Sequence, residues 1–317
     1  MLKDRLRSSA ILIAVAAAML FADARWEPVF GEGVLLVPLL LFLTLGTAWD
    51  MSVILRGRGL IVDRRIVLLG TAAVACSALL PTVWNAVAAG TERVNAYPTN
   101  CPVGQFGWVV FAMVSSIFAS FLKELCIYRS SLAAGEGPGP LESSVMVRIA
   151  VSIFLIAYAG IPMSLLVATR TLGEGTWGLA ALLTVVATTK SADAGAYFAG
   201  RSLGRRRLAP QLSPGKTWEG LLGGVAVATL VAHGCVWLLF PAVSPGNAGL
   251  PTWLPWVLGI SLSLAGLVGD LAESLAKRDA SAKDSGSWLP GLGGVWDVTD
   301  SLIAATLPGF LCFAAVS

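Results

Sequence analysis

Nine long apolar stretches dominate this chain, at about 8–24, 34–54, 66–88, 106–123, 146–169, 176–199, 218–240, 253–272 and 297–316. A helix of roughly 20 residues is what a bilayer requires to be crossed, and interruptions by Gly or Pro are tolerated there. With 56% apolar and 13% charged residues among 317, and a mean hydropathy of +0.77, the chain carries more hydrophobic surface than a soluble fold of this length can bury. The expected fold class is therefore all-α: a polytopic integral membrane protein of about nine transmembrane helices.

The basic residues test that count independently, because Lys and Arg gather in the cytoplasmic loops of membrane proteins. With the N-terminus inside, 18 of the 22 Lys and Arg residues fall in inside segments. Arg25, Arg93 and Arg170 lie outside and Lys190 lies within a span. An N-in, C-out arrangement follows, with cytoplasmic loops at 200–217 and 273–296. The same bookkeeping accounts for the net charge of +3, and no basic tract is interleaved with aromatics as a nucleic-acid groove requires. The first 24 residues combine a basic start, an apolar run and Ala22-Asp23-Ala24. The run is long for a leader's apolar region, so this segment is expected to stay as the first span.

Cys76, Cys101, Cys126, Cys235 and Cys312 show no metal-ligand or redox spacing and read as small packing residues. His233 stands alone in the seventh stretch and reads as a helix-interface histidine. Gly135–Pro140 is turn-rich and suggests a boundary between N-terminal membrane helices, 1–140, and a C-terminal catalytic part, 141–317.

Chemistry concentrates after Thr184. Lys190 and Asp193 are three apart and share a helix face. A charged pair beside hydrocarbon reads either as a structural lock or as the wall of a polar cavity. The loop beyond Arg201 carries Arg205, Arg206 and Arg207, which suit lipid headgroups or a substrate equally. It leads to Ser213-Pro214-Gly215-Lys216-Thr217-Trp218-Glu219. Ser followed by Pro predicts a helix start at Ser213, with Lys216 and Thr217 in a first turn that favours phosphate. Gly215-Lys216-Thr217 is not a P-loop, since Pro210 occupies the position of that motif's first glycine and no strand precedes it.

A second cluster closes the eighth stretch. Asp270, Ser274, Lys277 and Arg278 follow helical spacing and climb one stripe. Lys283 and Asp284 come next, then the glycine-rich turn at 289–294, and then Asp297 and Asp300, three apart on the ninth span. Asp297 as a helix cap and Asp300 as a first-turn carboxylate would account for that pair but not for Asp270. Carboxylates from separate segments are the oxygen ligands that Mg²⁺ takes beside substrate phosphates.

Together these clusters resemble the phosphatidate cytidylyltransferase, or CDP-diacylglycerol synthase, family of the bacterial type. Its signature of Ser, two residues, Lys-Arg, four residues, Lys-Asp, a Gly-Gly turn and Asp-x-x-Asp is matched by Ser274, Lys277, Arg278, Lys283, Asp284, Pro290, Gly293, Gly294, Asp297 and Asp300. Upstream, Asp193, Tyr197, Phe198, Arg201, Ser213, Pro214, Lys216, Thr217, Glu219 and Gly220 match the family's preceding segment. The resemblance runs from about Lys190 to Pro308. Leu292 and Val298 stand where the family usually has His and Arg, which argues against an essential role there or for altered activity.

The resemblance implies cytidylyl transfer from CTP to phosphatidic acid, releasing pyrophosphate, with membrane lipid and a homodimer among the expected partners. It implies Mg²⁺, with room for a second cation, held by Asp270, Asp297, Asp300 and Asp193. Catalytic roles would fall to Asp270, Asp297, Lys277 and Arg278, and substrate contacts to Arg201, Ser213, Lys216, Thr217, Glu219, Ser274, Lys283 and Asp284. The expected location is the bacterial cytoplasmic membrane, with the site facing the cytoplasm. Two rivals remain open: a CTP-dependent polyprenol kinase, and a secondary transporter coupling ions through Lys190, Asp193 and Asp270.

Overall fold

The computed structural model describes residues 2–90, 95–98, 101, 103–133, 144–173, 175–244, 249–282, 285–286 and 288–317. The Gly135–Pro140 turn, Lys283 and Asp284 lie outside the described residues. The protein is an all-α polytopic membrane protein with one small hairpin. Its helices are α1 (Leu2–Phe30), α2 (Val37–Gly57), α3 (Arg64–Ser77), α4 (Leu80–Ala89), α5 (Gly104–Ala133), α6 (Val145–Arg170) and α7 (Trp177–Leu203). The hairpin β1 (Arg207–Ala209) and β2 (Ser213–Thr217) follows, then α8 (Trp218–Gly234), α9 (Phe240–Val243), α10 (Leu254–Asp279) and α11 (Trp296–Ala314).

Every apolar stretch read from the sequence coincides with helix, but the stretches are not equivalent. Among the described residues seven helices are long and apolar enough to cross a membrane, and α3 with α4 forms an eighth span if that pair, bent by 61°, is counted as one. The break falls at Ala78-Leu79, ahead of Pro81 near the start of α4, where a proline fits because its missing N–H is not needed. Helix α7 is not among the seven, although its 27 residues are enough to span. Lys190, Asp193 and Arg201 dilute its apolar character, and these are the residues it brings to the site. Helix α8 continues through a π-helical segment, Cys235–Leu239, into α9 as one span, Trp218–Val243.

Two apolar cores organise the helices. One joins Met51 of α2, Val67 and Val74 of α3, and Leu155, Ile156 and Met163 of α6. The other joins Ala181 and Val185 of α7, Leu258 and Leu262 of α10, and Phe313 of α11. Helix α11 bridges them, since its Trp296 and Ile303 belong to the first core and its Ala305 to the second. Small residues carry the tightest contacts, as expected where lipid supplies no hydrophobic drive between helices and close backbone approach must substitute. At Gly269 a side-chain carbon would collide with the carbonyl of Asp300, so glycine there sets how near α10 and α11 can bring their carboxylates. His233 packs as expected, its ring edge against Trp256 at 4.9 Å and its Nδ1 2.8 Å from the carbonyl of Thr229.

Candidate active site

The charged segments meet at one end of α7, α8, α10 and α11. The helix start expected at Ser213 is not formed. Ser213–Thr217 is an extended strand paired antiparallel with β1, with Arg207 opposite Thr217. Thr217 is the residue that caps α8, its hydroxyl accepting from Gly220 N at 3.0 Å. A β-branched residue with extended φ and ψ suits both strand end and N-cap, and a capping hydroxyl replaces a missing helical acceptor. Lys216 is therefore one residue ahead of the cap, on the strand and directed towards Asp270. Glu219 secures the hairpin rather than facing outward, its carboxylate accepting from Arg205 N at 3.0 Å and from Arg206 N.

A cleft of about 390 Å³ opens between α7, the hairpin, α8 and α10, and Asp193, Ser213, Lys216, Thr217 and Asp270 all line it. Lys216 Nζ lies 2.9 Å from Asp270 Oδ2 across this cleft. Behind Asp270, Asp300 is buried and in side-chain contact with it, and Asp193 lies within electrostatic reach of Asp270. Lys190 donates to Ser301 Oγ at 2.7 Å and to the carbonyl of Val298 at 2.9 Å, and pairs with Asp193 at 3.4 Å. Ser301 in turn donates to Asp193 at 2.9 Å. Lys190 thus locks α7 to α11, while Asp193 forms part of the wall of the cleft.

A second group lies about two turns further along α10. Lys277 Nζ stands 2.8 Å from Asp297 Oδ1 and 3.1 Å from the buried carboxylate of Glu273. The other oxygen of Asp297 accepts from Ser285 N, Ser285 Oγ and Gly294 N at 3.1, 2.6 and 2.7 Å. Both oxygens of Asp297 are therefore engaged, and they hold the glycine-rich turn closed over the start of α11. Gly293 bends that turn at φ 97°, a left-handed conformation that favours glycine. From the first half of the chain, Asp50 of α2 accepts the N–H of Trp296 at 3.1 Å and so caps α11 from outside the cluster.

The expected residues divide accordingly. Asp193, Lys216 and Asp270 share the cleft with Ser213 and Thr217, and Asp300 stands behind them. Lys277 and Asp297 form the neighbouring group. Along one stripe of α10, Asp270 meets Lys216 and Asp300, and two turns on Lys277 meets Glu273 and Asp297. Ser274 is half-buried between them. Arg201 is exposed and donates to Tyr197 Oη at 3.0 Å, and Arg278 is exposed, its Nε 3.5 Å from the carbonyl of Leu212. Among the described residues no three His, Cys, Asp or Glu side chains form a ready metal site. Lysines stand against the carboxylates instead.

Sequence reasoning missed Glu273, Asp50, Ser285 and Ser301. A signal existed for the first two. Glu273 is four residues before Lys277, the spacing of a helical ion pair, and Asp50 is a carboxylate inside an apolar stretch, where none is expected without a role. Ser285 and Ser301 carried no signal.

A family model described as the cytidylyltransferase family matches residues 3–316. The chain belongs to that family. It is similar to proteins named phosphatidate cytidylyltransferase from Brucella suis biovar 1, 42% identical over 156 residues, which is 49% of this chain and 53% of that protein. The Haemophilus influenzae protein of the same name is 41% identical over 137 residues, 43% of this chain and 46% of the relative. That of Bacillus subtilis is 39% identical over 127 residues, 40% and 45% respectively. The chain spans about half the length of the curated relatives it matches. The match across 3–316 includes α1–α6, where the sequence alone offered only topology.

Proposed function

We propose that this protein transfers the cytidylyl group of CTP to phosphatidic acid at the inner face of a bacterial cytoplasmic membrane, giving CDP-diacylglycerol and pyrophosphate. A phosphate oxygen of the lipid attacks the α-phosphorus of CTP. The bond from that phosphorus to the bridging oxygen of the β-phosphate breaks, and the electron pair leaves with pyrophosphate. No general base is needed, because the attacking phosphate is already ionised at neutral pH. The obstacle is repulsion between two polyanions. The observation that carries the reading is the cleft wall itself, where Lys216 and Asp270 face each other with Asp193 alongside and Asp300 behind.

The donors suit a hard divalent cation. Asp270 and Asp300 bring two carboxyl groups into contact at the edge of a membrane, an arrangement that a shared proton or nearby positive charge stabilises. Mg²⁺ takes such oxygen ligands together with phosphate oxygens and water. Asp270 and Asp300 would hold it, with Asp193 beside them; when bound, the ion neutralises charge on the phosphates and aligns the in-line displacement. Lys216 and Lys277 are already ordered by carboxylates and offer cationic donors to phosphates with little reorganisation. Asp297, with both oxygens engaged, orients Lys277 and closes the glycine turn. Arg201 and Arg205–Arg207 form a basic rim that gathers anions from solution.

Purified protein incubated with CTP, Mg²⁺ and phosphatidic acid should release pyrophosphate and form a liponucleotide. Release of CDP with a phosphorylated lipid alcohol would instead select a kinase.

A further inference from the structure

Beside the polar cleft, further along α7 towards its N-terminus, lies a second cavity of about 440 Å³ whose walls are almost wholly apolar. Leu12, Ala16 and Leu20 of α1 line one side, Leu36 and Leu43 the next, and Leu183 and Val186 of α7 another. Its two ends differ in chemistry. Lys190 and Val298 close the end next to the active site, while Arg170 and Gly33 close the far end.

Among the described residues, polar contacts fasten helix α1 near its two ends. Near its C-terminus the buried carboxylate of Asp23 accepts from Arg170 Nε at 2.7 Å, and near its N-terminus Ser8 Oγ donates to the carbonyl of Pro290 at 2.8 Å. Between those points Ile11, Ile13 and Val15 are exposed.

The dimensions select the occupant. Ser9 to Leu20, the stretch of α1 along the slot, is 12 residues, or about 16 Å from end to end at helical rise. Half the hydrocarbon thickness of a bilayer is about 15 Å. A slot one leaflet long, apolar throughout and ending at a lysine beside the carboxylate cluster fits a single lipid acyl chain with its phosphate at the Lys190 end. Lys190 suits that junction, since its stem lines the slot while its ammonium reaches Asp193 and Ser301. Bilayer lipid is as apolar as the slot, so entry gains little affinity. What the slot contributes is alignment: it brings the lipid phosphate to its Lys190 end, beside the cleft that the nucleotide enters.

We propose that the slot between α1, α2, α6 and α7 holds one acyl chain of the phospholipid substrate and sets the chain length this protein accepts. The proposal rests on the lipid-acceptor reading above. The test uses full-length protein in detergent with dioleoyl and dihexanoyl phosphatidic acid, comparing wild type with Ala16→Trp and Val186→Phe. Ala16 lies partway along the slot, beyond the reach of a short chain, and neither residue belongs to the catalytic cluster. Ala16→Trp should lower kcat/KM for the long-chain lipid about tenfold while changing the short-chain value by less than about twofold. Val186→Phe, plugging the slot from the opposite wall, should shift the ratio the same way. An unchanged ratio in both variants would overturn the proposal. Should wild type turn over neither lipid, the acceptor reading fails instead. The slot is then tested separately with a phosphatidic acid carrying a photoreactive chain end: labelling of α1 and α2 peptides around Leu20 and Leu36 supports it, and labelling confined to outer lipid-facing surfaces refutes it.

Discussion

Replacing Asp297 by Asn tests whether the ordered lysine is what drives phosphate chemistry here. The side chain accepts from Lys277 on one oxygen and from Ser285 N, Ser285 Oγ and Gly294 N on the other. An amide is isosteric but has only one acceptor oxygen. Turned towards Ser285 and Gly294, that oxygen keeps the glycine turn closed and sets an NH₂ against the Lys277 ammonium. Turned the other way, it meets Lys277 and sets the NH₂ against two backbone N–H groups and a hydroxyl. The first orientation loses least, one hydrogen bond to a charged group, worth about 1.5–3 kcal/mol. If that interaction is fully expressed in the transition state, kcat falls about 10- to 150-fold at 1.4 kcal/mol per tenfold. The fold should persist, because Lys277 keeps Glu273 at 3.1 Å. Pyrophosphate release at saturating CTP and phosphatidic acid measures the rate, and a thermal unfolding scan of the same sample measures folding. Lys277→Met should cost a similar amount, and the double variant no more than the worse single one, since the two residues act as a unit. An Asp297→Asn protein that is folded and within twofold of wild type would refute the reasoning.

Asp270→Asn should raise the Mg²⁺ concentration needed for half-maximal turnover more than it raises KM for CTP, which a metal titration resolves. Chelation should abolish pyrophosphate release and added Mg²⁺ restore it; full turnover in excess chelator would exclude the metal reading. Thr217→Ala removes the cap of α8 and should destabilise that end by about 1 kcal/mol, read as a lower midpoint of unfolding. Asp23→Ala strips the carboxylate from Arg170 in a pair only 1% and 0% exposed, so about 3–5 kcal/mol of stability should be lost, and the melting temperature should drop even though the site lies at the other end of the bundle.

Much of this was legible because bilayer physics writes itself along the chain. Stretches such as 146–169 and 253–272 must be helices, since only helices and closed barrels satisfy backbone hydrogen bonds in hydrocarbon and barrel strands are only about 10 residues long. A run of charge and glycine between two such stretches has to be a site. The helix start placed at Ser213 went astray because Pro214 is tolerated on an edge strand that pairs irregularly with β1, and local capping preference carries no knowledge of the partner strand. Asp50 went unnoticed for the complementary reason: its role depends on Trp296, 246 residues away.

The amino-acid sequence alone determined the membrane class, the residues that carry charge into the bundle and the family pattern they form, because each depends on composition or on spacing within one element. Only the tertiary structure decided which carboxylate meets which cation between segments: Asp270 with Lys216 and Asp297 with Lys277. Partner choice depends on how closely α7, α8, α10 and α11 approach and on how each is rotated about its axis. Contacts between distant segments, the carbonyl of Asp300 against Gly269 among them, set those distances and rotations, and no single helix encodes them.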